Sequence, residues 1–508
     1  MTADHAPHGQ GSGRSALAQA LHAEWTKFRT VRGWVAGLAG AALMIVLTAL
    51  LAGVSSDQKD SPPVPVGPAG GPVTDSFYFV HRPLAGDGSV SVSVTTLDSR
   101  VAAGPGGPRP GTVPWAKAGL VIKESTRPGS PYAAIMVTGS HGVRMQNGYV
   151  NDLAGPPGPV SQASPRWLRL TRSGDRVTGH ASSDGTHWTE VGTTRVSGLG
   201  TTAEVGLFVA SPPAVSGGGT STSVSTSTFE DLRIRGDWAG RGAWTGSQVG
   251  ARSATFAGYP EHVSGSFTGS GARFTVTGAG DIAPAVRDSL PTGGHLRDLL
   301  TGTFPALIAV TVVGALYVTD EYRTRMIRLT LAAMPGRGRM LVAKAMVLWA
   351  VTFAAGLAGT ALATPLGRRL AEDNGVYVFP VPAATELRVL LGTAVLLATA
   401  AVLALSFGAV FRSSTAAVAT AVVALVLPYL LMAVPFLPAG ISDQVATVTP
   451  GAAFAVQQTL VPYDQVASNY TPYYGYYPLA PWTGLAVLAG YAVTALAAAA
   501  VLLDRKDA

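Results

Sequence analysis

Six predominantly apolar stretches of this sequence run for about 18 residues or more without a charge, at roughly residues 33–54, 299–319, 345–364, 389–411, 415–437 and 482–503. A helix rises about 1.5 Å per residue, so about 20 apolar residues cross the hydrocarbon of a bilayer. Stretches of that length exclude a wholly soluble fold. The composition agrees, because 47% of the residues are hydrophobic and only 13% charged, too apolar for an ordinary soluble chain. The expected fold is therefore an α-helical polytopic membrane protein with six transmembrane helices.

An even number of spans puts both termini on one side, and the Lys and Arg residues near the span ends decide which. Arg14, Lys27, Arg29, Arg32, Arg323, Arg325, Arg328, Arg337, Arg339, Lys344, Arg412, Arg505 and Lys506 fall on one side. Lys59, Arg287, Arg297, Arg368, Arg369 and Arg388 flank the spans on the other. Both termini are thus expected in the cytoplasm of a cell with this chain in its plasma membrane. Residues 1–15 are polar and read as a disordered tail, which leaves no cleavable signal peptide before the first span. That span is expected to stay as an anchor, preceded by an interfacial helix within 16–54.

Between the first two spans lie about 240 residues, enough for a domain. Residues 55–73 are a Pro/Gly tether. From 74 to 236 the pattern changes to period two, as in Ser89-Val90-Ser91-Val92-Ser93-Val94, with turn residues such as Ser173-Gly174-Asp175 and Asp184-Gly185 between short runs. This predicts an all-β sandwich, extracellular by the topology above. Residues 237–298 are Gly-rich with one clear strand, ARFTVT, and their place in the sandwich is open. Five spans and a basic loop, 320–344, fill 299–508. The chain has no Cys, so no disulfide supports the β region.

The β region resembles the concanavalin-like (laminin-G-like) jelly rolls appended to bacterial glycosidases. The resemblance rests on Trp115-Ala116-Lys117-Ala118-Gly119-Leu120-Val121-Ile122, on Pro165-Arg166-Trp167-Leu168-Arg169-Leu170, and on Ser182-Ser183-Asp184-Gly185 with Trp188-Thr189. It implies an extracellular glycan as a candidate ligand. Trp115, Trp167 and Trp188 are the candidate ligand-binding residues, although side chains of this size on alternate strand positions usually fill a sandwich core. Glu124, Asp175, Glu190, Glu204 and Glu230 show no spacing that singles out a hydrolytic pair.

The loop from Asp320 to Lys344 reads as helix end, break at Pro335-Gly336, and re-entry. Its Glu321-Tyr322-Arg323, Ile327-Arg328-Leu329-Thr330, Pro335, Arg337, Arg339 and Ala343-Lys344 resemble the loop between the second and third spans of type-2 ATP-binding-cassette (ABC) exporter permeases. Glu24-Trp25-Thr26-Lys27-Phe28-Arg29 resembles that family's interfacial helix, with Leu17, Leu21, Trp25 and Phe28 as an apolar stripe against membrane lipid. The resemblance implies that the loop couples to a separate ABC ATPase subunit, with Glu321, Tyr322, Arg323, Arg328, Thr330, Pro335, Arg337, Arg339 and Lys344 as the coupling residues. It implies half of a pore, completed by a homodimer or by a related permease, and short external helices between Thr447 and Tyr491 that cap it. The inserted jelly roll departs from the usual family plan.

The missing motifs point the same way. There is no GxxxxGK[ST] phosphate loop, so ATP and Mg are expected in the partner chain and no cofactor in this one. There is no HExxH, and His141, His180 and His187 read as surface or turn residues, so no metal site is expected. The net charge of +7 is spread over loops, against a nucleic-acid partner. The Tyr-rich segment from Tyr463 to Trp482 reads as an interfacial aromatic belt. The chain is thus expected to be a non-catalytic transport subunit; the alternative is a membrane-anchored carbohydrate-binding surface protein without transport activity.

Overall fold

A computed structural model describes residues 11–61, 63–102, 108–216, 219–238, 243–250, 265–289, 293–326, 336–432 and 438–506. Two compact units emerge. A helical unit contains the described residues up to Lys59, Gly294–Leu460 and those from Tyr470 onward, and a β unit contains Asp60–Gly293 and Val461–Asn469.

The helical unit comprises α1 (Gly11–Thr30), α2 (Arg32–Ser55), α3 (Thr303–Arg323), α4 (Arg337–Asp373), α5 (Ala383–Phe411), α6 (Ser414–Met432), α7 (Ala439–Val448) and α8 (Pro481–Lys506). Among the described residues, six helices are long and apolar enough to cross a membrane: α2, α3 with the turn from Asp298, α4, α5, α6 and α8. Helix α1 begins at Gly11, inside the stretch read as a tail. Helix α5 is the hub. In its most apolar window 78% of residues are buried, against 22% in α2 and in α8. Small residues allow this, because backbones approach closely where no side chain intervenes. A Cβ on Gly314 of α3 would fall 2.4 Å from the Ala401 carbonyl of α5.

A buried segment, Pro450–Gln457, is tied into the bundle by its last side chain. Gln457 Nε2 donates to the hydroxyls of Thr303 and Thr393 at 3.1 and 3.2 Å. Arg297 donates to the Pro472 carbonyl at 3.0 Å, holding a second short turn at Pro472–Tyr474.

The β unit is a sandwich. Its strands are β1 (Val73–Asp75), β2 (Phe77–Ala102), β3 (Pro108–Pro110), β4 (Lys117–Lys123), β5 (Tyr132–Thr138), β6 (Val143–Asn147), β7 (Asn151–Ala154), β8 (Arg166–Ser173), β9 (Arg176–Ser182) and β10 (Thr189–Arg195). There follow β11 (Thr202–Ala210), β12 (Ala214–Ser216), β13 (Gly219–Ser221), β14 (Ser223–Trp238), β15 (Thr245–Val249), β16 (Ser266–Ser270), β17 (Arg273–Gly278) and β18 (Ile282–Pro284). The long strand β2 serves both layers. Its second half lies between β8 and β14 in a sheet that runs β10-β9-β8-β2-β14-β17-β16, and its first half lies between β15 and β11 in one that continues through β4, β5, β6 and β7. Between the layers pack Val90, Val92, Leu168, Leu170, Leu120, Ile135, Leu207, Phe229 and Phe274, the inward positions of the alternating runs.

The second layer is buried on its outer face as well, by a cluster that includes Phe77, Phe79, Val121, Tyr132, Met136, Phe208 and Ile282. This explains why β4 and β5 are buried at every position and read as continuous apolar runs, not as alternation. The sandwich also continues past residue 236, into the segment whose place the sequence left open. β17 pairs with β14 in the register Phe229 to Phe274, and β18 pairs with β1. The alternation Arg273-Phe274-Thr275-Val276 places both apolar side chains in the core.

Lys117 and Lys123, at the two ends of β4, have no exposed surface. Lys117 Nζ meets Asp281 Oδ1 at 2.5 Å and the Ile282 carbonyl at 2.9 Å. Lys123 Nζ meets Asp75 Oδ2 at 2.7 Å, the Ser130 carbonyl and the Tyr149 hydroxyl. Asp75 ends β1 and Asp281 precedes β18, so both chain ends of the β unit are stapled to one central strand.

Candidate coupling site

Helix α1 presents Ala20, Glu24 and Phe28 to the helical unit, each under 5% exposed and four residues apart. That spacing is one face of a helix, and a carboxylate sits in the middle of it. Val31, in extended conformation, separates α1 from α2, and Trp34 of α2 then stacks on Phe28. Both rings pack edge-on to Tyr317 of α3, at 5.6 and 4.8 Å between centroids.

The Tyr317 hydroxyl donates to Glu24 Oε2 at 2.9 Å. The same oxygen accepts from Lys344 Nζ of α4 at 2.7 Å, and Lys344 also donates to Glu321 Oε1 of α3 at 2.6 Å. Lys27 of α1 donates to Glu321 Oε1 too. Two lysines and two glutamates make a neutral cluster, which is what lets four ionisable groups leave water together. Burial pulls the Lys27 ammonium down to about 8, the charge of Lys344 adds to the drop, and Glu24 opposes it. The Lys344 ammonium lies 4.7 Å from the centre of the Tyr317 ring. Glu321 Oε2 has no hydrogen-bond partner.

The cluster links α1, the last turn of α3 and the second turn of α4. The last two flank residues 327–335 in the sequence, so it holds α1 to both arms of the basic loop. What the arrangement does is tie three helices together through paired charges. Among the described residues no group of three His, Cys, Asp or Glu is placed to hold a metal ion.

The residues read as coupling groups fall into distinct settings. Glu321 and Lys344 are buried, and their side chains are engaged within the helical unit. Tyr322 is half-buried, with the Arg412 guanidinium 5.4 Å from its ring centre. Arg323 is exposed and pairs with Asp320 at 3.2 Å. Arg337 donates to the Leu503 and Asp504 carbonyls at the end of α8, where the helix carries partial negative charge. Arg339 is exposed. Arg328, Thr330 and Pro335 lie outside the described residues. On α1, Leu17 and Leu21 are half-buried, Phe28 is buried, and Trp25 is 45% exposed. Glu24 and Tyr317 were missed by sequence reasoning. The available signal was Glu24 itself, the one acid in α1, set between Ala20 and Phe28 at helical spacing.

The three tryptophans read as candidate ligand residues do not act together. Trp115 is buried, edge-on to His141 at 4.0 Å, with Arg144 over its ring. Trp167 and Trp188 are half-buried and lie outside the core clusters, which corrects the core-filling expectation for both. Trp167 faces outward on β8 because its neighbours Leu168 and Leu170 take the alternating core positions, and Trp188 immediately precedes β10. In the second layer, His81 contacts Glu204 at 2.6 Å and Ser247 at 3.0 Å. Ser247 lies within β15, its strand paired to β2. It is not on the sharp exposed turn that offers an acyl-transfer serine, and the chain of contacts reads as sheet-face bonding.

No family model matches the chain, and no curated protein matches it. Among solved structures, part of it is similar to a functionally unknown protein from Saccharomyces cerevisiae, at 16% identity over 32% of this chain and 75% of that one, TM-score 0.22. A mutant of the GH43 protein BlXynB from Bacillus licheniformis is similar at 19% identity over 24% of each chain, TM-score 0.17. Scytalido-glutamic peptidase with a transition state analog inhibitor is similar at 12% identity over 41% of this chain and 98% of that one, TM-score 0.26. Likenesses this low carry no argument about fold or activity.

Proposed function

We propose that this chain is the membrane permease subunit of an ATP-driven exporter of the type-2 ABC class. Its six apolar helices form half of a translocation pore in a bacterial plasma membrane, with both termini cytoplasmic and an extracellular jelly-roll domain that binds a glycan or another ligand. A second copy or a related permease completes the pore. A separate ATPase subunit binds ATP and Mg and acts on the loop 320–344.

One observation carries this reading: the buried cluster of Glu24, Lys27, Glu321 and Lys344 joins the interfacial helix to both arms of that loop. An anchor needs one span and no such junction. Force delivered to the loop would reach α1, α3 and α4 together, because separating any of them strands a buried charge. The exposed cations Arg323 and Arg339 are the docking contacts on the loop's flanks.

The test is purification of the tagged chain from its native membrane in mild detergent, with mass spectrometry and an ATPase assay, beside an Arg323→Ala/Arg339→Ala variant. The expected result is a co-purifying nucleotide-binding subunit whose ATPase activity falls in the variant. Recovery of the intact chain without any such subunit would reverse the assignment, leaving a membrane-anchored carbohydrate-binding surface protein.

A further inference from the structure

The outer face of the first β layer carries more positive charge than its neighbours neutralise. Strand pairing places Glu190, His180, Arg169, Ser91 and Arg233 in one row across β10, β9, β8, β2 and β14. Residues paired in this way project to the same face of the sheet. The next row brings Thr171, Ser89 and Arg235 alongside. No ion pair engages Arg169, Arg233 or Arg235 among the described residues, and the nearby Glu230 already meets Arg273 at 3.3 Å. Burial, and then the charge of Arg235, hold the Arg169 guanidinium below the usual arginine range.

The two tryptophans on this face bear cations. The Arg169 guanidinium lies 3.7 Å from the centre of the Trp188 ring, and that of Arg233 lies 5.6 Å from the centre of Trp167. Gly185, at φ +74°, packs on the Trp167 indole so closely that a Cβ there would fall 2.8 Å from Cε2. A neutral sugar stacks on a bare ring face, and these rings are occupied. What they do instead is hold flat, donor-rich guanidinium groups in fixed positions, the arrangement that suits oxyanions. Strands about 4.8 Å apart set Arg169 and Arg233, with one strand between them, at a repeat of about 10 Å.

We infer that this face binds a linear acidic glycopolymer, with Arg169, Arg233 and Arg235 receiving its repeating carboxylate or phosphodiester groups and Trp167 and Trp188 positioning the first two. The inference deepens the ligand-binding part of the proposed function and does not involve the ATPase. Binding is therefore measured on the purified full chain alone, so its failure leaves the coupling reading intact, and the absence of an ATPase partner leaves this one intact.

The experiment compares binding of polygalacturonate, poly(glycerol phosphate), neutral dextran and a single-stranded oligonucleotide at two salt concentrations. The Arg233→Gln/Arg235→Gln variant, altered only at exposed positions, runs in parallel with its thermal unfolding. The expected result is salt-sensitive binding of at least one acidic glycopolymer, weakened about tenfold or more in the variant with unfolding unchanged, and no binding of dextran. Preference between the two acidic polymers identifies carboxylate or phosphodiester as the source. Binding of neither acidic polymer, equal affinity in the variant, or equally tight binding of the oligonucleotide would overturn the inference.

Discussion

In the β unit, Lys117 and Lys123 are each held by one aspartate and at least one backbone carbonyl, whereas in the helical unit Lys27 and Lys344 meet only side chains. A backbone acceptor fixes a lysine to one strand position, and Asp75 Oδ2 adds the Gly129 N–H and the Tyr149 hydroxyl to the same point. Such pairs are staples: they pin β1 and β18 to β4 and have one geometry. The helical cluster instead shares two glutamates between two lysines on three helices. Its charges balance as a group, and neither lysine is tied to a backbone acceptor. The difference teaches that burial of charge alone does not assign a role; the kind of acceptor separates a fastener from a linkage.

The sharpest way to break this comparison is to remove one side of a staple. Asp75→Ala leaves Lys123 buried without its counter-ion and is expected to cost about 3–5 kcal/mol. Thermal unfolding and hydrogen exchange across β4 will show it, and Lys123→Met with Asp75→Leu is expected to recover most of the loss. An Asp75→Ala protein as stable as the parent would mean that the pair contributes no staple.

Alkaline pH tests the same region without mutation. Burial pushes the Tyr132 and Tyr149 phenols up, reinforced by the charge of Asp75. Burial pulls the Lys123 ammonium down against that same charge. The unfolded chain releases its tyrosine protons near pH 10 while the folded chain keeps them, so stability falls as pH rises. Lys123 has the opposite sign, since the unfolded chain keeps that proton up to its ordinary value of 10.5. Above about 10.5 the lysine contributes no further slope, and each tyrosine removes about 1.4 kcal/mol per pH unit. Tyrosinate absorbance appearing together with unfolding, not before it, is the expected observation.

For the linkage, Lys344→Met leaves Glu24 and Glu321 with Lys27 alone, and about 2 kcal/mol of local stability is expected to go. The loss should appear as faster hydrogen exchange in α1 and the end of α3, with the β unit unchanged. Lys27 carries its own pH signature. Its folded value of about 8 lies below 10.5, so the unfolded state binds more protons between them and docking of α1 strengthens as pH rises through that window. Lys27→Met should flatten the dependence. The smallest effect belongs to an exposed pair: Arg323→Ala, which breaks the contact with Asp320, is expected to change stability by less than about 0.5 kcal/mol.

Much of the architecture was legible because it depends on local pattern. Long uncharged runs became long helices, and Ser-Val alternation became a strand with Val90, Val92 and Val94 in the core. What failed to read were positions decided by distant segments. The runs ending near 319 and restarting near 345 hid the fact that α3 and α4 extend into the charged flanks, so Glu321 and Lys344 looked like loop residues. Their burial depends on Glu24 and Lys27, about three hundred residues earlier in the chain. Nothing local to β4 marks Lys117 and Lys123 as core residues either, because their partners Asp281 and Asp75 come from distant segments. On α1, the stripe of Leu17, Leu21, Trp25 and Phe28 was read by hydrophobicity alone. It did not mark the face packed within the helical unit, which runs through Ala20, Glu24 and Phe28, where Tyr317 and Lys344 pair the buried carboxylate.

The central claim is that the flanks of the basic loop meet an ATPase. The chain has no cysteine, and a Cβ at Gly338 of α4 would meet nothing within 4 Å, so Gly338→Cys supplies a single thiol without crowding. Thiol cross-linking in native membranes followed by mass spectrometry of the adduct is the direct measurement. The expected product is an adduct with a nucleotide-binding protein whose yield changes when ATP is added. A folded Gly338→Cys protein that yields only lipid-exposed, unlinked chain, with no nucleotide-binding protein attached in either condition, would contradict it.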